Sequence, residues 1–583
     1  MNAVPKYCNY KVDRSRLPEG IVIYGNGDVG GKARGIIYSM EALQEGHIKG
    51  DYFKYIRFPR SYVLSSEYFD RFIDHNYLKD IVNDKCREIL TVKEMYHKFM
   101  EAEIPEELSN VLYEVLEKED GPLIVRSSSI LEDSLQYSFA GIYESYFITN
   151  TGTLEHRIKN LEETVKKVYA STFNINAKEY RKRHKISWQR EKMAIVIENV
   201  IGRKQRNDLY YPLMAGVAFS RNYYPWNERI RMEDGVGRLV LGLGTRAVGR
   251  NYARVFSLSN PRLRPEGSVL NEIIRYSQKY VDVLNMSTGE FVSEAMDDVK
   301  KTSPTFYLPC STLKDNQYLV PTSKVISDDE TVFPTFDRLL KSDRYFPFVS
   351  IMCELLTNIE AHFGVPIDIE FAVDLDEKFQ GYLYLLQARP IVNRPENKKV
   401  PLPDLDKENL ILKSDHVLGN GIVKGIKNII YVPAENFNPS NSFLIAREIG
   451  KLNEILNNES YILIGPGRWG TSTPELGIPV NYGEISNSSV IVEISSCGTS
   501  PELSYGTHFF GDITSTNTFY IPVYLEKGGF LDLEFFESQK NMYKSDLIKL
   551  ITHEYGFNVY ASAEDHLGII TRNGTIDLDL PEE

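Results

Sequence analysis

The sequence predicts a mixed α/β (α+β) protein of more than one domain, the last of them smaller and richer in strand. Three observations carry this. The 583 residues exceed what a single hydrophobic core serves. Before residue 391, short apolar runs alternate with segments of helical period. After residue 408 the runs become short and β-branched, with frequent glycine turns. The stretch between them, IVNRPENKKVPLPDLDKE at 391–408, is polar and holds three prolines, so it reads as a linker. The expected boundaries are a first domain at 1–395, a linker at 396–408 and a second domain at 409–583.

In the first domain, Ile21–Tyr24 is a strand running into a glycine-rich turn, followed by a helix with Ile36, Ile37, Met40 and Leu43 on one face. Further strands are expected at Leu123–Val125, Met193–Val200, Gly216–Phe219 and Leu239–Leu241. Leu161–Thr172 and Phe348–Phe363 have helical period. Ile367–Asp374 and Tyr382–Ala388 form a hairpin. Pro304, Pro309, Pro321 and Pro334 suggest a weaker joint near 300–335. In the second domain the strand signals are Ile429–Val432, Tyr461–Ile464, Val490–Ile494 and Thr518–Val523.

Composition narrows the function. Hydrophobic residues make up 42% and charged residues 25%, as in an ordinary globular protein. The net charge of −13 argues against general nucleic-acid binding, which needs a cationic footprint. Any phosphate chemistry must therefore use local clusters of Lys and Arg. The five cysteines (8, 86, 310, 353 and 497) are scattered, with no C-x-x-C pair, which argues against a zinc site or a disulfide framework. The N-terminal segment has no apolar core of signal-peptide type, and no run approaches membrane-spanning length. The expectation is a cytoplasmic protein with no membrane partner.

Three clusters could do chemistry. In the hairpin, alternation puts Asp368, Glu370 and Asp374 on one face, with Gln387 and Arg389 sharing a face of the second strand. Oxygen ligands on a rigid hairpin suit Mg²⁺, and Arg389 could grip a phosphate oxygen. A solvated sheet face fits the same residues. The loop Tyr24-Gly25-Asn26-Gly27-Asp28-Val29-Gly30-Gly31-Lys32 could bring backbone N–H groups and Lys32 to a phosphate at a helix start, although its spacing is not that of a Walker A loop. A plain turn with a surface lysine is the alternative. Arg126, followed by Ser127-Ser128-Ser129-Ile130-Leu131-Glu132-Asp133 and by Ser138-Phe139-Ala140-Gly141, could close over a polyphosphate. Serine followed by acidic residues is equally good helix N-cap chemistry.

The string IVRSSSILEDSLQYSFAGIYESY resembles the ATP-domain signature of the phosphoenolpyruvate synthase and pyruvate phosphate dikinase family. Gly30-Gly31-Lys32 resembles that family's first loop, and Asp368–Ala372 with Leu386–Pro390 its closing hairpin. FPRSYVLS (58–65), MAIVIENV (193–200), GVAFSRN (216–222) and LGLG (241–244) fall in family order. The resemblance implies an ATP-grasp-type nucleotide-binding domain, followed here by the smaller strand-rich α/β domain, and a phosphotransferase using ATP and Mg²⁺. By the resemblance, Gly30, Gly31, Lys32 and Arg126 meet the phosphates, and Gly141 and Ser145 belong to the covering loop. Glu198, Asn199 and Val200 form the adenine hinge, Glu370 and Gln387 hold Mg²⁺, and Arg389 assists at the transferred phosphate. Ile142 departs from the family's usual Gln.

Full-length members add a swivelling phosphohistidine domain and a pyruvate-binding barrel. The region after 395 is too short for that barrel and contains no Gly-Gly-x-Thr-x-His string. It offers His508, after Gly506-Thr507, as a phosphoryl carrier, and Arg468, in Gly465-Pro466-Gly467-Arg468-Trp469-Gly470, as an anion ligand. A core-edge histidine and a stiffened turn are the alternatives. The acceptor is unidentified. A degenerate ATP-binding regulator and an acyl-phosphate ligase remain open beside the phosphotransferase.

Overall fold

In the computed structural model the chain forms two compact units, Met1–Val392 and Asn393–Glu583. The structure describes residues 5–46, 52–79, 91–132, 142–187, 191–222, 231–248, 252–264, 267–376, 378, 380–391, 400–403, 409–457, 459–471, 473–495, 518–539, 541–562 and 565–572.

The first unit is built on two principal sheets. Its main elements, in chain order, are β1 (Ile21–Tyr24), α1 (Gly30–Glu45), β2 (Ile56–Arg57), β3 (Ser61–Leu64), α2 (Ser66–His75), β4 (Leu123–Ser129), β5 (Ser145–Ile148), α3 (Leu154–Ser171) and β6 (Met193–Asn199). They continue with β7 (Met214–Phe219), β8 (Val236–Val240), β9 (Arg254–Ser257), α4 (Phe348–Phe363), β10 (Ile367–Leu375) and β11 (Gly381–Pro390). The first sheet has the order β1-β3-β6-β4-β5, with β1 and β3 parallel and the other neighbours antiparallel. The second has the order β9-β8-β7-β10-β11-β2 and is antiparallel except for the β11–β2 edge.

The second sheet owes its core to alternation. Ile367, Ile369, Phe371 and Val373 of β10 turn to one side and pack with Phe348, Ile351, Leu355, Ile359 and Phe363 of α4. Each such side chain contributes about 2 kcal/mol by leaving water, so this interface fixes the hairpin as a rigid platform. The opposite face of β10 is left to Asp368, Glu370 and Asp374.

Helix α1 packs against β4 and β6 of the first sheet and against β11 and α4 of the second. A Cβ at Gly35 would lie 2.2 Å from the carbonyl oxygen of Ala388 in β11, so only glycine allows that approach. At Gly30, φ is +75° and a Cβ would lie 1.7 Å from the Ser128 carbonyl oxygen. Helix α1 therefore starts in contact with β4 and runs on against β11.

Strand β4 is longer than the apolar pattern predicts. It continues through Arg126 and the three serines, which pair with Val196, Ile195, Ala194 and Met193 of β6. The serines are fully buried because each hydroxyl has a partner: Ser127 accepts from Lys32, Ser128 donates to the Val29 carbonyl, and Ser129 donates to Glu191. They are strand residues, and the last of them also closes a cap-like turn: the Leu131 N–H donates to Ser129 Oγ at 3.0 Å and the Ser129 N–H donates to Glu132 Oε2 at 3.2 Å.

The proline-bearing stretch 300–335 belongs to the first unit. It includes a three-stranded sheet of Tyr318–Pro321, Cys310–Lys314 and Val332–Pro334. Pro321 and Pro334 end edge strands, where a missing N–H is tolerated.

The second unit is dominated by one nine-stranded mixed sheet. Gly421–Tyr431, Tyr461–Pro466, Ser488–Ser495 and Phe519–Tyr524 form its parallel part, with helix Ser442–Ile455 crossing between the first two. Lys549–Ser562, Leu567–Arg572 and Leu410–Ser414 extend it in antiparallel fashion. One face carries Ile462, Ile464, Val490, Val492, Ile521 and Val523 into a core closed by Phe535 and Phe536. Among the described residues, no helix is long and apolar enough to cross a membrane.

The α1–β11 contact can be tested with Gly35→Ala. Alanine improves helix propensity by about 1 kcal/mol, but the backbone carbonyl in its path can yield only if β11 moves. The expected result is a net loss of about 1–3 kcal/mol, measured by urea denaturation. Gly121→Ala, where a Cβ meets nothing within 4 Å, should leave stability nearly unchanged.

Candidate functional site

Arg126 leaves β4 on the side of Glu198, which projects from the neighbouring strand β6. Its guanidinium reaches the face of the second sheet that α4 does not cover. Nη2 donates to Glu370 Oε2 at 2.8 Å and to Gln387 Oε1 at 2.6 Å. Nη1 donates to the Leu386 carbonyl at 3.1 Å and lies 3.5 Å from Glu198 Oε2. The early cation and the late carboxylate and amide thus meet in one cluster.

A β-bulge makes this possible. Glu370 pairs with Gln387, but Phe371 pairs with Leu385, so Leu386 is the extra residue. Leu383 and Leu385 point into the core. Strict alternation would send Gln387 after them. The bulge reverses the phase, so that Ala388 fills the core, Gln387 turns to Arg126, and the carbonyl of Leu386 is free of the ladder to accept from Nη1.

Burial shapes the charges. Arg126 is 7% exposed and Glu198 2%. Burial alone would lower the Arg126 pKa, but the charges of Glu370 and Glu198 outweigh it and hold the guanidinium firmly ionised. Burial pushes the Glu198 carboxyl above its usual range, against the opposing pull of Arg126 and of the Ser61 hydroxyl, which donates to it at 3.0 Å.

Lys32, in the first turn of α1, is buried. It donates to Ser127 Oγ at 3.0 Å and forms an ion pair with Glu132, whose charge also acts on Arg126. Glu132 also accepts from the Ser129 N–H at 3.2 Å, as cap chemistry expects, but sequence reasoning assigned it no role as partner of Lys32. Its signal was its place six residues after Arg126, where the turn beyond β4 folds it back beneath Lys32.

The remaining residues fall into place unequally. Ser145 stands directly opposite Arg126 in the β4–β5 pairing. Arg389 donates through Nε to both oxygens of Asp368 at 2.7 and 2.9 Å, two pairs further along the hairpin from Glu370 and Gln387 and on the same face. Asp374 lies at the other end of β10, paired with Arg203 at 3.0 Å. Asn199 donates its side-chain amide to Glu119. Val200 donates its N–H to the Pro122 carbonyl at 2.9 Å and accepts at its own carbonyl from the Tyr210 hydroxyl at 3.0 Å.

The glycine loop is held internally. The N–H groups of Asn26, Gly27, Asp28 and Gly30 donate to Glu67, Ser65, Ser66 and Asp28 at 2.5, 3.1, 3.0 and 2.7 Å. Gly31 lies buried at the start of α1. Ile142 is buried, its carbonyl accepting from Asn174 at 2.8 Å. Gly141 and His508 lie outside the described residues.

In the second unit, Arg468 is turned inward and only 1% exposed. Beside it, the Trp469 N–H donates to Glu493 and its indole N–H to the Val492 carbonyl, both at 2.9 Å.

The donor set fits a hard cation at the hairpin. Glu370 and Gln387 present a carboxylate and an amide oxygen in cross-strand register. Among the described residues, no group of three or more His, Cys, Asp or Glu side chains is arranged around a metal. Mg²⁺ bound with a nucleotide takes one or two protein oxygens and fills its shell with phosphate and water, and one carboxylate with one amide is a donor set of that size.

The profile of the pyruvate phosphate dikinase AMP/ATP-binding domain matches residues 26–410. The chain belongs to this family. The matched region contains Lys32, Arg126, Glu198, Glu370, Gln387 and Arg389. The chain is 25% identical over 401 residues to a probable phosphoenolpyruvate synthase of Methanocaldococcus jannaschii, covering 65% of this chain and 28% of the relative. It is 25% identical over 393 residues to a phosphoenolpyruvate synthase of Aeropyrum pernix, covering 62% and 40%. An uncharacterized phosphotransferase of Bacillus subtilis is 24% identical over 344 residues, covering 58% and 32%. The matched segments thus span less than half the length of each relative, and the family's AMP/ATP-binding domain is what they share with this chain.

The charge cluster predicts a pH-dependent defect. Arg126→Gln leaves Glu198 buried without its cation, at a cost of about 3–5 kcal/mol near pH 8. The folded-state pKa of Glu198 then rises further above its unfolded value. The penalty is full above that raised pKa and fades as the pH falls through it, because the folded carboxyl takes up a proton. Urea denaturation at pH 8 and pH 5 should show the deficit shrinking, and the further change Glu198→Gln should remove the pH dependence.

Proposed function

We propose that this chain is an ATP-dependent phosphotransferase that works on Mg·ATP held between the two sheets of its first unit. The observation that carries the reading is the meeting of Arg126 from one sheet with Glu370 and Gln387 from the other. A triphosphate needs cations from the protein and a divalent ion for its oxygens. Arg126 offers a planar fork matched to a phosphate, and Lys32 a point charge at a helix start.

In this reading Glu370 and Gln387 hold Mg²⁺, which when bound neutralises developing charge on the phosphate oxygens. Arg389, held by Asp368, lies two pairs along the hairpin on the same face to meet the transferred group, and Ser145 lines the covering side. Glu198 anchors Arg126 from behind. Because Lys32, Arg126, Glu198 and Gln387 are packed and largely dry, they act as a preorganised field on the phosphates, the main source of catalysis in phosphoryl transfer. The acceptor is a small molecule or a protein histidine, with His508 as a candidate carrier.

Nucleotide binding without turnover is the competing reading. It draws on the same ion pairs, since a guanidinium already tied to Glu370 and Gln387 must exchange partners before touching phosphate.

Incubation with β- and γ-labelled ATP separates the readings. AMP with phosphate indicates dikinase chemistry, ADP a kinase or ligase, and intact ATP a binding module. If ATP is consumed, Lys32→Ala and Arg126→Ala should each lower turnover by about a hundredfold or more. Wild-type rates in both variants would remove these residues from the site.

A further inference from the structure

Arg126 already bonds one carboxylate oxygen of Glu370 and the amide oxygen of Gln387, the side chains that suit the divalent ion. Nη2 is bonded to Glu370 Oε2 and Gln387 Oε1, while Nη1 takes the Leu386 carbonyl and Glu198 stands behind it. A dication and a guanidinium cannot share these oxygens cheaply. Held this close, a doubly and a singly charged cation repel strongly even at the effective dielectric of a partly buried site. One hydrogen bond to a charged group returns only a fraction of that. The repulsion wins unless phosphate charge lies between the two cations.

We propose that Glu370 and Gln387 form an internal lock on Arg126, which a divalent cation opens by drawing their oxygens away and so frees the guanidinium for the nucleotide's phosphates. The inference rests on the nucleotide site proposed above. Glu198 serves as the pivot: it is fixed by the Ser61 hydroxyl and belongs to the first sheet, so it keeps its hold on Arg126 while the second-sheet contacts are exchanged. Coupling between cation and nucleotide follows and is reciprocal: each raises the affinity for the other by the same factor.

The test is calorimetric titration of the full chain with ATP in EDTA, where no turnover occurs, and then in Mg²⁺. Wild type should bind ATP weakly in EDTA. Glu370→Gln and Gln387→Leu should each bind it about tenfold more tightly there, because each removes or weakens one bond of the lock. Gln387→Leu changes no charge, so its gain separates release of Arg126 from general electrostatics. Both variants should lose most of the enhancement by Mg²⁺. In the converse experiment, Arg126→Lys keeps a cation near Glu198 but lacks the fork. It should bind Mn²⁺ more tightly than wild type in the absence of nucleotide, read by electron paramagnetic resonance. Unchanged or weaker ATP binding in EDTA for both Glu370→Gln and Gln387→Leu overturns the lock. If Lys32→Ala and Arg126→Lys both leave binding of ATP in Mg²⁺ unaltered, the nucleotide site itself fails.

Discussion

The buried guanidinium of Arg126 is the constraint on which the first unit turns. It grows from one sheet and is satisfied by the other. Its presence makes demands in every direction. Glu198 must supply charge from the adjacent strand, Glu370 must supply it across the gap, and an amide and a carbonyl must complete the fork. The cost of taking a guanidinium out of water is several kcal/mol, and only such a set offsets it. The two sheets are therefore tied by charge at the site as well as by the packing of α1 on both.

That constraint explains why the hairpin is irregular. A regular antiparallel pair would give a clean alternation on both strands and would bury Gln387 among leucines. The extra residue at Leu386 costs one ladder position and returns a carbonyl and an amide aimed at the same cation. Bulges commonly re-aim side chains beside functional sites. Here the bulge lets a core strand and a polar face coexist in one ten-residue element.

Much of this was legible in the sequence, for identifiable reasons. The apolar face of β10 and its acidic face follow from period-two alternation, and α4 matches its helical pattern from Phe348 to Phe363. What could not be read was satisfaction at a distance. Ser127, Ser128 and Ser129 look like a turn because serine is usually exposed, yet three tertiary partners hold them in a strand. Glu132 shows only its local cap bond to the Ser129 N–H, because its second partner, Lys32, lies 100 residues away. The glycine loop looks like an open cradle, but Ser65, Ser66 and Glu67 fill it from a helix start that no local pattern connects to it. Arg468, offered by the sequence as an anion ligand, lies buried in a short parallel ladder of Arg468–Trp469 with Gly477–Ile478. In each instance the local signal was real, and a long-range contact decided its meaning.

The same logic bears on how an acidic protein handles a polyanion. A net charge of −13 repels ATP at long range, and the site's own carboxylates add to that repulsion at short range. Cations held open to solvent would attract any anion. At the proposed site, cations paired with Glu132 and Glu370 would instead be offered only to a ligand that can replace the paired oxygens in number and geometry. A single chloride or carboxylate cannot do that, whereas a triphosphate can. Pairing therefore lowers affinity for everything while raising the difference between the nucleotide and its competitors, which is the quantity specificity depends on.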